Sequence, residues 1–248
     1  MAPTAIVTGV SRGIGKAIAD RLLEDGYSVV GCSRKPGEAE AALEHAGDAA
    51  VGIEADVSRP GDAALLAETA IERFGSVEVL VNNAGVYEEV DFLEMTAEQW
   101  ERLMTVNVTG AFLCAQAAAK AMIQSESEGR IVNIASSTGL LAEPSCAHYN
   151  ASKAAIISLT KSMAVDLAPH GVVSTCVAPG WIDTGIDPAL ADFSDEEMSR
   201  LNPLGMAGRP EDVAHAVASL CDPRAGFANG AVLSIDGGQT AVSPVPGG

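Results

Sequence analysis

Thr4-Ala5-Ile6-Val7-Thr8-Gly9-Val10-Ser11-Arg12-Gly13-Ile14-Gly15 reads as a strand, a glycine-rich turn and the start of a helix. Ala5–Thr8 is a short apolar run, and the 3.6-residue pattern after it predicts a helix over 14–25. Gly9, Gly13 and Gly15 let the main chain come close to a pyrophosphate. The helix N-terminus adds unpaired N–H groups. The spacing is Gly-x-x-x-Gly-x-Gly rather than Gly-x-Gly-x-x-Gly. A dinucleotide suits such a turn; helix–strand packing alone is the competing reading.

The same alternation runs down the chain. Further strands are expected at Ser28–Cys32, Ala50–Glu54, Val79–Val81, Ile131–Ile134, Val172–Val177 and Val232–Ile235. They are apolar throughout, as parallel strands covered on both faces are. Helices are expected near 38–46, 61–74, 97–123, 148–168 and 211–221. Such βαβ alternation predicts a Rossmann-like, doubly wound α/β fold. Thr96-Ala97-Glu98-Gln99 is a capping box for the long helix, and Ser194-Asp195-Glu196-Glu197 is another. Pro210 suits the first turn of the last helix. No repeat or linker interrupts residues 1–248, which read as one domain. Asp183–Gly208 follows the sixth strand at the ligand-binding edge and is expected to be a substrate lid. The tail Val242–Gly248 is expected to fray.

Composition narrows the function. The 248 residues carry 15 basic and 33 acidic side chains, for a net charge of −18. That excess argues against nucleic acid and against docking to a strongly acidic protein. Hydrophobic residues make up 48% and aromatics 4%, so aliphatic side chains must fill the core. No uninterrupted apolar run approaches bilayer thickness, and no secretory signal is visible. The five cysteines form no Cys-x-x-Cys pair, so no metal is expected and reduced thiols in the cytoplasm are.

Tyr149 and Lys153 lie four apart, on one helix face. Ser136 lies 13 residues before the tyrosine (149 − 136 = 13). A tyrosine of pKa about 10 is protonated at neutral pH. A neighbouring ammonium would favour its phenolate, making Tyr149 an acid in reduction and a base in oxidation. Ser136 or Ser137 would hold the substrate oxygen. Ser33 and Arg34 end the second strand where an acidic residue would accept the ribose 2′-OH of NAD. With Arg12 they favour the 2′-phosphate of NADP(H). Asp56-Val57 and Asn82-Asn83-Ala84-Gly85 end the third and fourth strands. Asn107, a poor residue for a helix interior, hints at a local distortion or a bound water.

Taken as a set, these residues resemble the short-chain dehydrogenase/reductase family from Thr4 to about Gly238. Pro179-Gly180, Thr184 and Asp236-Gly237-Gly238 extend the match. The resemblance implies a catalytic tetrad of Asn107, Ser136, Tyr149 and Lys153, and it selects Ser136 over Ser137. Lys153 would bind the nicotinamide ribose and lower the tyrosine pKa, and Asn107 would hold a water. The implied NADP(H) site comprises Gly9, Ser11, Arg12, Gly13, Ile14, Gly15, Ser33, Arg34, Asp56, Val57, Asn83, Ala84 and Gly85. Tyr149, Lys153, Pro179, Gly180, Ile182 and Thr184 complete it. A seven-stranded parallel sheet of order 3-2-1-4-5-6-7 and a homotetramer of 222 symmetry are also implied.

Within the family the pattern is most like 3-oxoacyl-acyl-carrier-protein reductases. Those carry arginines that dock an acidic carrier; the matching positions here hold Ser127 and His170, beside Glu126 and Glu128. The expectation is therefore NADPH-dependent reduction of a free small ketone to a secondary alcohol. A carrier- or CoA-borne 3-oxoacyl group is the alternative, and a non-catalytic NADP(H) sensor is the alternative of another class. Glu143, Cys146, Trp181 and Met206 are expected to shape the substrate pocket. His148 and Trp100 are expected to be structural, and His45, His170 and His215 to lie on the surface.

Overall fold

The computed structural model describes residues 2–185 and 200–242. Seven parallel strands form one sheet: β1 (Thr4–Thr8), β2 (Ser28–Ser33), β3 (Ala50–Glu54), β4 (Val79–Asn82), β5 (Arg130–Ile134), β6 (Val173–Pro179) and β7 (Val232–Ile235). Their order is β3-β2-β1-β4-β5-β6-β7. The order reverses at β1, which pairs Thr4 with Ser28 on one side and Ala5 with Val79 on the other. A crevice opens at the carboxyl ends of β1 and β4, where ligands of such sheets bind.

Helices α1 (Gly13–Glu24), α2 (Glu38–Leu43), α3 (Pro60–Phe74), α4 (Ala97–Met104), α5 (Gly110–Gln124), α6 (Ala147–Asp166) and α7 (Pro210–Cys221) flank the sheet. Successive strand residues point to opposite faces. Ala5 and Val7 of β1 thus join a core with Ile18 and Leu22 of α1 and Val213 and Val217 of α7. Ile6 joins the other core, with Leu66 of α3 and Cys114, Ala118 and Met122 of α5. Both faces are buried, which is why the strands carry no polar alternation. Each fully buried Leu or Ile contributes roughly 1.5–3 kcal/mol of burial.

Element boundaries depart from expectation where local chemistry intervenes. α2 ends at Leu43, not at 46, and a 3₁₀ segment follows in which Gly47 is left-handed at φ 54°. The expected capping box is present: Thr96 accepts from the Gln99 N–H, and the Gln99 side chain accepts from the Thr96 N–H. The long helix it opens is broken by a π turn at Thr105–Thr109. From Ala97 to Gln124 this helix is long and apolar enough to cross a membrane by length and composition alone, although polar residues interrupt it. Ala111, Cys114, Ala115, Ala118 and Met122 are instead buried in the protein, as in a core helix. The expected lid lies outside the described residues over 186–199, as do the Ser194 capping box and residues 243–248 of the tail.

Candidate active site

The phosphate turn is shaped by two glycines. Gly9 sits at φ 74°, and a Cβ on Gly15 would lie 2.1 Å from the Gly9 carbonyl oxygen. α1 starts at Gly13 with no side-chain cap on its N-terminus and no acidic residue in its first turn. Its first N–H groups are therefore free for an anion. Asn83 braces the turn from below. Its Nδ2 donates to the Thr8 and Gly9 carbonyls, while Thr8 Oγ1 accepts from the Asn83 and Ala84 N–H groups.

A cleft of about 520 Å³ runs over this turn and is lined by Gly9, Ser11, Arg12, Gly13, Ile14, Gly15, Ser33, Arg34, Asp56, Val57, Asn83, Ala84 and Gly85. Arg12 and Arg34 are exposed there, and neither side chain makes a hydrogen bond or ion pair among the described residues. Ser33 is buried, with its hydroxyl donating to the Lys35 carbonyl. The Asp56 carboxylate accepts from Ser58 and is held below the usual range by it, with smaller help from Arg59 and Arg34. Two free guanidiniums beside a turn of bare amides fit a dinucleotide bearing a 2′-phosphate.

A second cavity of about 480 Å³ adjoins the cleft, sharing Ile14, Asn83, Gly85, Val86, Tyr87, Tyr149 and Thr184 with it. It adds Ser136, Lys153, Pro179, Gly180, Trp181, Ile182 and Glu143. Ser136 follows β5 and stays open to the cavity, whereas Ser137 is 3% exposed. Ser136 Oγ accepts from the Thr138 N–H and hydroxyl, which leaves its own proton to donate. Both details favour Ser136, although Ser137 also lines the cavity.

Lys153 is 6% exposed; its ammonium donates to the Ile134 carbonyl at 2.9 Å and lies 5.5 Å from the Tyr149 ring centroid. Burial pushes its pKa down to about 8. Tyr149 remains partly open to the cavity, yet burial pushes its phenol up to about 12, against a smaller lowering by Ser136. Lys153 is not among the groups that shift it. In the ligand-free protein the tyrosine pKa is thus raised, by burial first and then by the charge of Glu143.

Asn107 sits in the π turn, where the extra residue per turn swings it toward the site. Its Oδ1 accepts from the Val86 N–H, and its Nδ2 donates to the Val86 carbonyl and to Ser152 Oγ. The amide ties the loop after β4 to α6. Asp236 accepts from Gly238 and Thr240, and Gly180 N–H donates to Ile235, so the turn after β7 holds the Pro179-Gly180 corner.

Several expectations are corrected. Cys146 is wholly buried and does not line the cavity; its thiol donates to the Tyr87 hydroxyl behind the wall. Met206 is 53% exposed and also off the cavity, because the turn at 202–206 folds back on itself through Asn202. Trp100 is 39% exposed rather than packed. Ser127 donates to the Val77 carbonyl, and His170 precedes β6. Both lie at the amino edge of the sheet, opposite the cavity within one protomer, so they do not flank its mouth. His148 is buried as expected, with Nδ1 accepting from the Tyr149 N–H. Tyr87 and Glu89 line the cavity without having been singled out. Their one signal was their place directly after the Asn82–Gly85 turn.

Comparisons with known proteins agree with this geometry. Residues 9–240 match the family model described as Enoyl-(Acyl carrier protein) reductase. A Vibrio cholerae protein named 3-oxoacyl-(acyl-carrier-protein) reductase FabG is 37% identical, covering 95% of this chain and 96% of its own. A Synechocystis 3-oxoacyl-(acyl-carrier-protein) reductase is 38% identical over 96% and 97%. A short-chain type dehydrogenase/reductase from Mycobacterium marinum superposes with a TM-score of 0.90 at 34% identity, covering 97% and 96%. With its sheet order, glycine turn and Tyr149–Lys153 pair, the chain belongs to the short-chain dehydrogenase/reductase family and is an NADP(H)-dependent oxidoreductase.

Proposed function

We propose that the chain reduces the ketone of a 3-oxoacyl thioester to a secondary alcohol. The observation that carries the chemistry is one cavity that gathers Ser136, Tyr149 and Lys153 beside the phosphate turn. Support for the acyl group comes from relatives named 3-oxoacyl-acyl-carrier-protein reductases that match along almost the whole chain.

When bound, NADPH supplies the hydride. Arg12 and Arg34 would hold its 2′-phosphate, and the first N–H groups of α1 would take the pyrophosphate. Pro179, Gly180, Ile182 and Thr184 would line the nicotinamide end, and Lys153 would bind the ribose with the N–H groups that Ile134 leaves free. Ser136 donates to the ketone oxygen and orients it. Tyr149 delivers its phenolic proton to that oxygen as negative charge develops. The Lys153 ammonium on its ring face then stabilises the phenolate. Asn107 positions the Val86 loop and α6. The cytoplasm is the compartment we assign, since all five cysteines are free and buried.

A free small ketone is the second reading, favoured by the net charge of −18, which opposes an acidic carrier and anionic CoA alike. The test is NADPH oxidation with 3-oxoacyl thioesters beside matched free ketones. The thioester reading expects a kcat/KM advantage of at least about tenfold, or 1.4 kcal/mol in transition-state binding. A larger kcat/KM for the free ketones would select the second reading. In either case Tyr149→Phe should lose roughly 10²–10⁴-fold in turnover while NADPH still binds. Near-normal turnover in that variant would sink the proton-donor assignment.

A further inference from the structure

One wall of the Tyr149 cavity has a chemistry that reduction leaves unused. Two loops build it, one after β4 and one leading into α6. The Val90 N–H donates to the Ser145 carbonyl at 2.7 Å, and Ser145 is held left-handed at φ 56°. The Tyr87 ring stands edge-on to Tyr149, with centroids 5.0 Å apart at 88°. The Tyr87 hydroxyl donates to Glu89 at 2.7 Å and accepts from the Cys146 thiol. Glu89 and Glu143 both line the cavity.

The two carboxylates differ in their partners. Glu89 accepts from Tyr87. Glu143 is partly buried, and although its main-chain carbonyl accepts from Asn150, its carboxylate makes no hydrogen bond or ion pair among the described residues. Burial first, and then the charge of Glu89, raise its pKa. The one basic side chain among the residues lining this cavity, Lys153, is committed to Ile134 and does not offset Glu143. Residues 186–199 and 243–248 contain no Lys, Arg or His, so neither stretch can bring a cation to it. A substrate that covers Glu143 without a donor would strip it of water and give nothing back.

We propose that Glu143, backed by Glu89, is the specificity-determining acceptor of this pocket. It takes an N–H donor carried by the substrate and turns away a carboxylate at the same place. The proposal rests on reading the cavity as the site of carbonyl reduction. Two sources can supply that donor: an amide of a pantetheine-like thioester arm, or a protonated amine on a free ketone.

The probes are a 3-oxobutanoyl N-acetylcysteamine thioester, its N-methylated amide, a thioester ending in a carboxylate, and a matched amino ketone. Wild-type enzyme should favour the N–H thioester over its N-methyl form by about tenfold in kcat/KM, and use the carboxylate least. Glu143→Ala should erase the N–H preference. Glu143→Gln, which keeps an acceptor but loses the charge, should keep that preference and relax the bias against the carboxylate. Glu128→Gln, at the opposite edge of the sheet, should change neither ratio. An amino ketone that outperforms the amide thioester identifies the amine as the source, and the reverse order identifies the arm. Ratios unchanged in both Glu143 variants would overturn the proposal. Should Glu143→Ala not fold, the carboxylate ratio in Glu143→Gln decides alone. If no ketone is turned over, the reductase reading fails, and calorimetric binding of the same compounds to wild type and Glu143→Gln still judges Glu143.

Discussion

Burial moves Tyr149 and Lys153 toward their neutral forms, the phenol up to about 12 and the amine down to about 8. A tyrosine so held is ready to donate in reduction, but it resists acting as a base until positive charge is added nearby. The Lys153 charge matters for the reaction and begins to be lost at mildly alkaline pH. kcat/KM for reduction, which reports the free enzyme, should therefore fall above about pH 8, by up to tenfold per pH unit. Lys153→Met should be slow and lack that limb; an identical alkaline limb in the variant would assign it elsewhere. The stability effect has the opposite sign. In the folded state Lys153 binds its proton less tightly than at its ordinary 10.5, so the penalty is present below about 8 and lifts between 8 and 10.5. Over that window stability should rise with pH in wild type relative to Lys153→Met, as read by denaturant midpoints. Arg34 supports a separate expectation, because its side chain has no hydrogen-bond or ion-pair partner among the described residues to hold it away from a phosphate. Arg34→Ala should weaken NADPH by roughly 10-fold or more, the range of a lost charged hydrogen bond, and leave NADH nearly unchanged. Equal losses with both cofactors would show that the guanidinium does not reach the 2′ position.

At the scale of the element, the turn between β1 and α1 tolerates no side chain at its closest point. A Cβ at Gly15 would collide with the Gly9 carbonyl and with Asn83, which holds that carbonyl in place. Gly15→Ala should therefore pull the turn apart and abolish NADPH binding, measured by fluorescence titration, with the sheet's circular dichroism intact. Tight binding by this variant would mean that the turn does not hold the phosphates. This turn was legible beforehand because glycine spacing after an apolar strand is a local signal. The seven strands were legible for a related reason: the inner strands are buried on both faces, so their runs are mainly apolar, with few polar residues such as Asn133 and Ser174 among them. What sequence left hidden depended on contacts between distant segments. Cys146 reads as a pocket residue by its place before α6, but tertiary packing turns its thiol behind Tyr87. Glu89 and Tyr87 belong to no periodic pattern, and their loop reaches the wall through distant contacts, Val90 with Ser145 and Tyr87 with Cys146. The π turn was half visible, since Asn107 is misplaced in a plain α-helix, but its tie to Val86 was not. The rise of the tyrosine pKa in the ligand-free protein was not legible, because neighbour charge can be counted along a helix, whereas desolvation needs the whole cavity.

For the whole molecule, net charge and exposed apolar surface pull association in opposite directions. β7 ends the sheet with no strand on its outer side among the described residues, and Leu233 on it is 39% exposed. Phe227 nearby is fully exposed, and Val165 of α6 is 74% exposed. An open edge bordered by apolar side chains invites a second copy. Each copy, however, brings a net charge of −18. We expect the homotetramer implied by the resemblance, with a stability that depends on salt. Repulsion among exposed charges is largely screened beyond about 10 Å at 0.1 M salt but reaches about 30 Å at 0.01 M. Sedimentation velocity should accordingly show tetramer at moderate salt and smaller species at low salt and low protein concentration. Phe227→Asp adds a charge where apolar contact is expected and should shift the balance toward smaller species at every salt concentration. A monomer under all conditions would refute the assembly, and a tetramer indifferent both to salt and to Phe227→Asp would show that it is built on other faces.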